Sequence, residues 1–466
     1  MSQGYFFGQL PQWKSRFHKA AELPFSELLS GERIRVELRR LGVTYRNRLY
    51  PPDVIVWMFL SQTLDPDPCC REAVARYLAY RKSRGLPACS TDTTSYCEAR
   101  LRLPNALIPN LTRATGRELC DLAPALWHWK GRRVKLVDGS SVSMPDTPEN
   151  AAAFGKPSNQ KGFCGFPIAR ILVVMCLATG AACDAAIGPY CGKQSGELSL
   201  FRSLLETFEE GEIVLADRLF CTYFDIARLR SRGVDMVVRV NAHRKVDFRR
   251  GQRLGEDDHI VVWTKPTKCP EWMSEEDFTA LPDEMELREL RADVDVPGRR
   301  VKSLVVVTTV LDSARYTKED LVLLYRQRWH GEVDLRSLKT TLQMDVLRCR
   351  TPDMVRKEIW THLLANNLLR SAMCATAIRH NVLPRQLSFR GAQQMVNAFH
   401  LLLTTSPLEQ LESLCNALFD AIACHIVGNR PNRYEPRKRK RAAKPYPRLK
   451  LSRAAERKHC LKPASA

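Results

Sequence analysis

The sequence predicts a mixed α/β fold with helical regions at both ends of the chain. Three runs of strand-forming residues follow residue 132, and strands then alternate with helical patterns. A polar stretch rich in Pro and Trp interrupts this alternation after residue 240, and long helical patterns follow it. The predicted fold is therefore a mixed sheet with a β-rich insertion, helical N-terminal and C-terminal regions, and a disordered basic tail.

These changes of pattern divide the chain into five predicted parts. In order they are a helical N-terminal domain, an α/β domain in two pieces, the insertion between those pieces, a C-terminal helical region and the tail. Their bounds are 1–127; 128–240 with 301–380; 241–300; 381–429; and 430–466.

The N-terminal part predicts short helices. Pro51-Pro52 precedes an apolar helix at Asp53–Leu64, and a second helix covers Arg71–Lys82. Ser90-Thr91-Asp92 provides an N-cap for a third helix. Two short helices around a Gly-containing turn resemble a helix-turn-helix, and an ordinary helical bundle remains the alternative.

The central part predicts a sheet whose strands end in acidic residues. The first and fourth strands run into Asp138 and Asp217. Three strands in a meander followed by helix–strand alternation is the order of a ribonuclease H-like sheet. The predicted strands are Arg133–Val137, Ile168–Ala178, Ala182–Pro189, Glu212–Ala216, Val234–Val240, His259–Thr264, Glu284–Arg291 and Lys302–Leu311, and the helices are Gly196–Phe208, Tyr223–Ser231, one from Thr317 or Lys318, Pro352–Ile378 and about Pro407–Val427.

The charge of the chain favours a polyanionic partner. The net charge is +21, and residues 430–466 carry 14 of the 72 Lys and Arg residues but only Glu435 and Glu456 of the 51 acidic ones. Nucleic acid is favoured over a membrane surface because no strongly amphipathic basic helix accompanies this charge. A tail that only improves solubility is the alternative.

Cysteine spacing and hydropathy exclude several classes. The 16 cysteines contain no C-x-x-C pair, which argues against a zinc knuckle and favours reduced thiols in the cytosol. The apolar stretch Ile168–Ile187 is interrupted by Arg170, Gly180 and Asp184, so it predicts two buried strands rather than a membrane span.

The most specific pattern lies after the insertion, at Tyr325, Arg328, Glu332 and Lys339, with the spacing Y-x₂-R-x₃-E-x₆-K. On a single helix these residues fall within an arc of about 60°, with Trp329 beside them. Such a stripe suits binding of a metal ion and of phosphates. Arg328 and Glu332 are also spaced as an ordinary surface ion pair.

Asp138, Asp217 and Glu332 are the candidate catalytic residues. The two aspartates end strands that meet at one edge of the sheet, so their side chains are expected to lie close together. Several carboxylates at one place do not all stay ionised without cations, and hard oxygen ligands suit Mg²⁺ or Mn²⁺. The alternative role for each aspartate is in a turn or a helix cap.

These blocks together resemble a known family. Val137-Asp138-Gly139-Ser140, Leu215-Ala216-Asp217-Arg218 and the Y-R-E-K block resemble those of bacterial insertion-sequence transposases of the DDE type, in the branch defined by the Y-R-E-K signature. The resemblance covers roughly residues 50–445 and implies a ribonuclease H-like catalytic domain, with a β-rich insertion between the second Asp and the Glu.

The resemblance also implies a mechanism and partners. It implies an enzyme that binds the terminal inverted repeats of an insertion sequence through its N-terminal domain, cleaves at the ends and joins their 3′-OH groups to target DNA. Asp138, Asp217 and Glu332 would hold two Mg²⁺ ions, with Mn²⁺ tolerated, while Tyr325, Arg328, Trp329 and Lys339 would contact DNA. The partners would be double-stranded DNA and a second copy of the chain on paired ends, with no membrane, in the bacterial cytoplasm at the nucleoid.

Two other functions remain open at the level of the sequence. One is a DNA-binding relative without catalysis, such as a repressor or a domesticated protein. The other is a host ribonuclease H-like nuclease without strand transfer. The presence of Asp138, Asp217 and Glu332 disfavours the first, and the Y-R-E-K block disfavours the second.

Overall fold

A computed structural model describes residues 28–46, 48–157, 165–192, 195–241, 244–293, 303–428 and 453–460. Within them the helices are α1 (Gly31–Arg40), α2 (Pro52–Leu64), α3 (Cys70–Ser83), α4 (Thr94–Arg102), α5 (Leu107–Asp121), α6 (Pro148–Phe154), α7 (Glu197–Arg202), α8 (Tyr223–Arg230), α9 (Glu275–Ala280), α10 (Lys318–Arg326), α11 (Trp329–Arg336), α12 (Pro352–His380), α13 (Phe389–Thr405), α14 (Leu408–Ala423) and α15 (Arg453–Cys460). The strands are β1 (Val134–Ser143), β2 (Ile168–Cys176), β3 (Ala182–Pro189), β4 (Ile213–Ala216), β5 (Asp235–Arg239), β6 (Gln252–Gly255), β7 (Asp258–Thr264), β8 (Glu284–Asp293) and β9 (Ser303–Thr308).

One mixed sheet contains all nine of these strands, in the order β3-β2-β1-β4-β5-β9-β8-β7-β6. The strands β1, β2 and β3 form an antiparallel meander, and β4 and β5 run parallel to β1. This arrangement confirms the predicted ribonuclease H-like sheet. The strands of the insertion pair antiparallel with one another and extend the same sheet through β9.

Helices cover both faces of the sheet and supply two hydrophobic cores. On one face, α12 packs against α5 and β3, and its Leu363, Leu364 and Leu368 are fully buried. On the other face, the ring of Phe201 packs against those of Phe208 and Phe220. The sheet is therefore held between two apolar layers, and its strand ends are left to form a site.

The apolar stretch at Ile168–Ile187 forms the buried strands β2 and β3, as the sequence predicts. Gly180 has a φ of +76° in the connection between them, a conformation that glycine adopts without strain. No helix in the described part of the chain is long and apolar enough to cross a membrane.

Several predicted bounds are wrong. Strand β1 continues past Asp138 to Ser143 because these residues pair with β2 along its whole length. The helix predicted at Gly196–Phe208 ends at Arg202 and is followed by a 3₁₀ turn. The sequence also did not identify α13, which precedes α14. The division into domains stays a prediction.

Most of the basic tail lies outside the described residues, and its predicted disorder is wrong for one segment. Arg453–Cys460 forms the helix α15, with Glu456 in its first turn. The segment is rich in Ala, Arg, Glu and Lys, which are favourable helix formers.

Candidate active site

Asp138 and Asp217 lie at the same level on neighbouring parallel strands. Leu136 of β1 pairs with Leu215 of β4, and each aspartate follows its paired leucine by two residues. Asp217 is the N-cap of a short 3₁₀ helix, where its Oδ1 accepts a hydrogen bond of 2.7 Å from the Arg218 N–H. Asp138 therefore lies within β1 and Asp217 directly after β4, at the same level of the sheet, and Asp217 also has the capping role considered for it.

The Y-R-E-K segment does not form the single helix on which the predicted stripe depends. Tyr325 lies in α10, Arg328 precedes α11, Glu332 lies in α11, and Lys339 lies in a π-helical turn at Ser337–Thr341. The backbone N–H groups of residues 330 and 331 bond three residues back, as in a 3₁₀ turn. A 3₁₀ turn overwinds the chain and a π turn underwinds it, so their rotations partly cancel.

An ion pair joins two of these residues. Arg328 Nη2 donates to Glu332 Oε1 at 2.6 Å, and the two side chains are 20% and 35% exposed. Helix α11 packs against β1, and a Cβ atom on Gly331 would lie 3.5 Å from Asp138 Oδ2. The absence of a side chain at Gly331 thus lets this helix approach the Asp138 carboxyl closely.

The Asp138 carboxyl is in an environment that disfavours its charge. Burial raises its pKa to about 6, and the Glu332 and Glu197 carboxylates also raise it. The Arg328 guanidinium and a hydrogen bond of 2.9 Å from the Gly139 N–H to Oδ1 lower the pKa, but by less. Burial therefore outweighs the nearby guanidinium in setting the pKa of this carboxyl.

Sequence reasoning missed Glu197 as a neighbour of this site. Glu197 begins α7, and a Cβ atom on Gly139 would lie only 2.6 Å from its Cδ atom. A glycine inside a strand often marks such a close approach, so Gly139 directly after Asp138 was the available signal.

Arg328 is near more than one acidic group. Burial lowers the pKa of its guanidinium, but the hydrogen bond to Glu332 and the nearby Tyr325 and Asp217 groups outweigh burial, so the pKa is raised. The same guanidinium acts on Asp138. The Arg328 guanidinium thus pairs with Glu332 and acts electrostatically on Asp138 and Asp217.

The other residues of the motif differ in exposure. Tyr325 is buried in the core, and this burial raises the pKa of its phenol to about 12. Lys339 Nζ donates to Ser140 Oγ at 3.2 Å, and Ser140 lies on the same strand as Asp138, two residues after it. Trp329 is 47% exposed, with the Arg336 guanidinium over its ring at 5.8 Å. The exposed ring agrees with a surface role for Trp329 and not with burial.

A buried acidic residue fixes α11 from behind. Asp334 accepts hydrogen bonds from Arg385 Nη1 at 2.6 and 2.7 Å and from Arg370 Nη2 at 2.5 Å. Arg385 also donates to the carbonyl groups of Cys176 and Leu177 at the end of β2. This network connects the helix that carries Glu332 to both α12 and the sheet.

The described residues include no group of three or more His, Cys, Asp or Glu side chains already arranged to hold a metal ion. The structure brings Glu332 and Asp138 close enough to influence each other, and Asp217 is near Tyr325 and Arg328. The donor set nevertheless fits a hard divalent cation, because it consists of carboxylate oxygens.

The chain is similar to known proteins. Residues 129–368, just over half of the chain, match the family described as the transposase DDE domain. The chain is 27% identical over 365 residues to the transposase InsG for insertion sequence element IS4 of Escherichia coli strain K12, which covers 76% of this chain and 77% of that protein. A cryo-EM structure of the piggyBac transposase synaptic complex with hairpin DNA covers 86% of this chain and 81% of that chain, at 11% identity and a TM-score of 0.41.

The matched segment begins just before β1 and ends within α12, so it includes the sheet edge with Asp138 and Asp217 as well as the helix with Glu332. It also includes the whole Y-R-E-K segment. The chain belongs to the family of DDE transposases, and it is a DNA transposase.

Proposed function

We propose that Asp138, Asp217 and Glu332 are the catalytic carboxylates of this transposase and that they hold two Mg²⁺ ions. The observation that carries the proposal is the level position of the two aspartates on parallel strands, with α11 packed against β1. Asp138 and Asp217 would hold one ion, and Asp138 and Glu332 the other. Mn²⁺ would substitute because it prefers the same oxygen ligands.

The reaction we propose is cleavage of a strand at the transposon end, followed by attack of the freed 3′-OH on target DNA. Bound ions would supply an activated water and stabilise the in-line transition state. The chain itself would position the reacting strand. Tyr325, Arg328 and Lys339 would contact phosphates near the cut, and the exposed Trp329 ring would stack on DNA.

The test is strand cleavage by single variants on a DNA duplex that carries the terminal inverted repeat. Asp138→Asn, Asp217→Asn and Glu332→Gln should each abolish cleavage in Mg²⁺ while leaving end binding largely intact, because the variants remove ligand charge but keep side-chain size. Glu319→Gln, on the exposed first turn of α10, is the matched control and should cleave normally. Normal cleavage by Asp217→Asn would contradict the assignment.

We further propose that a dimer of the chain acts on paired DNA ends, because concerted insertion joins two ends to one target. Each active site would cut the end bound mainly by the N-terminal domain of the other subunit. Mixing a Glu332→Ala protein with a protein that lacks residues 1–125 should then partly restore cleavage. No restoration, with both proteins folded, would favour action within one subunit.

The same function would place the protein at the nucleoid of the bacterial cytoplasm, since both its substrates are DNA. A fluorescent fusion should overlap the stained DNA of the cell. An even distribution through the cytoplasm would contradict this proposal.

A further inference from the structure

The Arg328 guanidinium has one partner in the structure and a different partner in the proposed function. In the structure it donates to Glu332 Oε1 at 2.6 Å, in a site where only a fifth of its side chain is exposed. The proposed function instead assigns Glu332 to a metal ion and Arg328 to a DNA phosphate. Both assignments require this ion pair to open or to be rearranged.

The position of Arg328 also affects the other two candidate carboxylates. The guanidinium interacts with Asp138 and Asp217 as well as with Glu332, so it supplies positive charge where a divalent ion would supply it. A partly buried cation and a divalent ion near the same carboxylates repel each other strongly. Carboxylates without any cation would in turn repel one another.

We propose that Arg328 is the counter-ion of Glu332 in the metal-free enzyme, and that it competes with the divalent metal for this carboxylate. This inference rests on the proposed metal site. When a metal ion binds, Glu332 is released from Arg328, and the guanidinium becomes available for two parallel hydrogen bonds to a phosphate.

The proposal has a thermodynamic consequence. If metal binding frees Arg328 for DNA, then DNA that takes up Arg328 must also raise the affinity for metal, because coupling between two sites is reciprocal. The metal-free enzyme thus binds metal less tightly without DNA than with it, and it binds DNA less tightly without metal than with it. Arg328 would delay assembly of the active site until a DNA end is present.

The experiment measures Mn²⁺ binding to the full-length, DNA-free protein by electron paramagnetic resonance of the free ion at neutral pH. Specific binding is the part that Asp138→Asn removes. Arg328→Gln should bind Mn²⁺ more tightly than the wild type, by on the order of tenfold, since one nearby positive charge is gone. Arg328→Lys keeps the charge and should stay near the wild-type affinity.

Two controls separate this effect from general charge and from folding. Arg326→Gln removes the same charge from an exposed position two residues away and should leave the Mn²⁺ affinity unchanged. Circular dichroism checks that each variant is folded. If Arg328→Gln is not folded, Arg328→Lys provides a second test, because a retained charge should keep the Mn²⁺ affinity near that of the wild type. A divalent ion that does not support cleavage, Ca²⁺, should increase end-DNA affinity in the wild type by more than in Arg328→Gln.

The outcomes distinguish the counter-ion role of Arg328 from the proposed metal site. An equal or weaker Mn²⁺ affinity in Arg328→Gln, with specific binding still lost in Asp138→Asn, would overturn the counter-ion role and leave the metal site standing. Mn²⁺ binding that Asp138→Asn does not change would overturn the metal site and this inference together. Tighter binding in Arg328→Gln alone, with Arg326→Gln unchanged, would support both.

Discussion

At the scale of single residues, Lys339 differs from Arg328 in its partners. Arg328 is paired with Glu332, whereas Lys339 donates to the neutral Ser140 hydroxyl and has no carboxylate partner within the described part of the chain. Its ammonium charge is thus available to a phosphate as it stands. A lysine acts toward phosphate as a point charge and an arginine as a planar fork, so the two residues would serve different contacts.

We therefore predict that Lys339→Ala weakens strand transfer by about tenfold or more, the effect of losing one charge-assisted hydrogen bond. The dependence on Mg²⁺ or Mn²⁺ should not change, because Lys339 is not a metal ligand. Arg328→Lys should also be damaging, since the charge remains but the fork is lost. The measurement is strand transfer of a pre-cleaved end across a metal titration, with Arg326→Ala as the matched loss of charge.

Wild-type strand transfer by both the Lys339→Ala and Arg328→Lys proteins would contradict a role in DNA binding. It would mean that these residues make only ordinary surface ion pairs, each of which contributes under about 1 kcal/mol. A shifted metal optimum in the Lys339→Ala protein would instead place this side chain beside the metal.

The identity of the candidate residues was predictable, but their charge state was not. Residue type and order identified Asp138, Asp217 and Glu332. The raised pKa of Asp138 depends on burial and on Glu197, which is distant in the sequence and comes close only through the fold. No local pattern contains that information, apart from the glycine that follows Asp138.

At the scale of elements, α11 depends on the buried network around Asp334. Asp334 is fully buried and accepts hydrogen bonds from two arginines of other elements, Arg370 and Arg385. It lies two residues after Glu332, so the network fixes the helix on the side away from the site. Breaking one side of a buried ion pair leaves uncompensated charge in the core.

Asp334→Asn should therefore lower the free energy of unfolding by about 3–5 kcal/mol, the usual effect of removing one partner from a buried pair. Urea unfolding at neutral pH measures the change. The matched control is Asp420→Asn, whose carboxyl pairs with Arg379 on the surface at 2.9 Å and should matter little. Equal losses in the two variants would show that Asp334 has no special role.

Sequence patterns predicted the start of α10 but not the irregular turns that follow it. The predicted start of α10 at Thr317 or Lys318 is correct, and the structure shows a capping box of Thr317 and Asp320 there, which is a local interaction. The 3₁₀ and π turns that follow were not predicted, since they depend on how α11 packs against β1. The common face of the Y-R-E-K residues was therefore inferred from a regular helix that the chain does not form.

At the scale of the whole molecule, the strand order followed from the alternation of patterns along the chain. Sequence patterns also identified most strands of the insertion. They did not show that these strands join the sheet of the candidate site through β9. Which strands pair, and in which register, depends on segments that are distant in the sequence. The sheet therefore continues from the candidate carboxylates into the insertion.

The basic charge of the chain also acts at this scale, and it is concentrated in residues 430–466. The last described contacts before the tail join Val427 N to Gln386 O at 2.7 Å and pair Ile426 with Leu387. A protein that ends at Asn429 keeps these contacts and loses 14 of the 72 basic residues. This truncation therefore tests the charge of the tail without removing the contacts that end the folded part.

We predict that the truncated protein binds DNA with a shallower dependence of affinity on salt. Each phosphate contact made by a Lys or Arg releases counter-ions and steepens the slope of log K against log salt by about 0.9, so removing contacts reduces the slope. Fluorescence anisotropy from low to physiological salt measures this slope, both for a DNA duplex with the terminal inverted repeat and for a duplex of unrelated sequence. A full-length protein with the basic residues of 430–466 changed to Gln should match the truncated one, which separates charge from chain length. An unchanged slope in both proteins would mean that the tail does not contact DNA and that the +9 of the remaining chain carries the electrostatic binding.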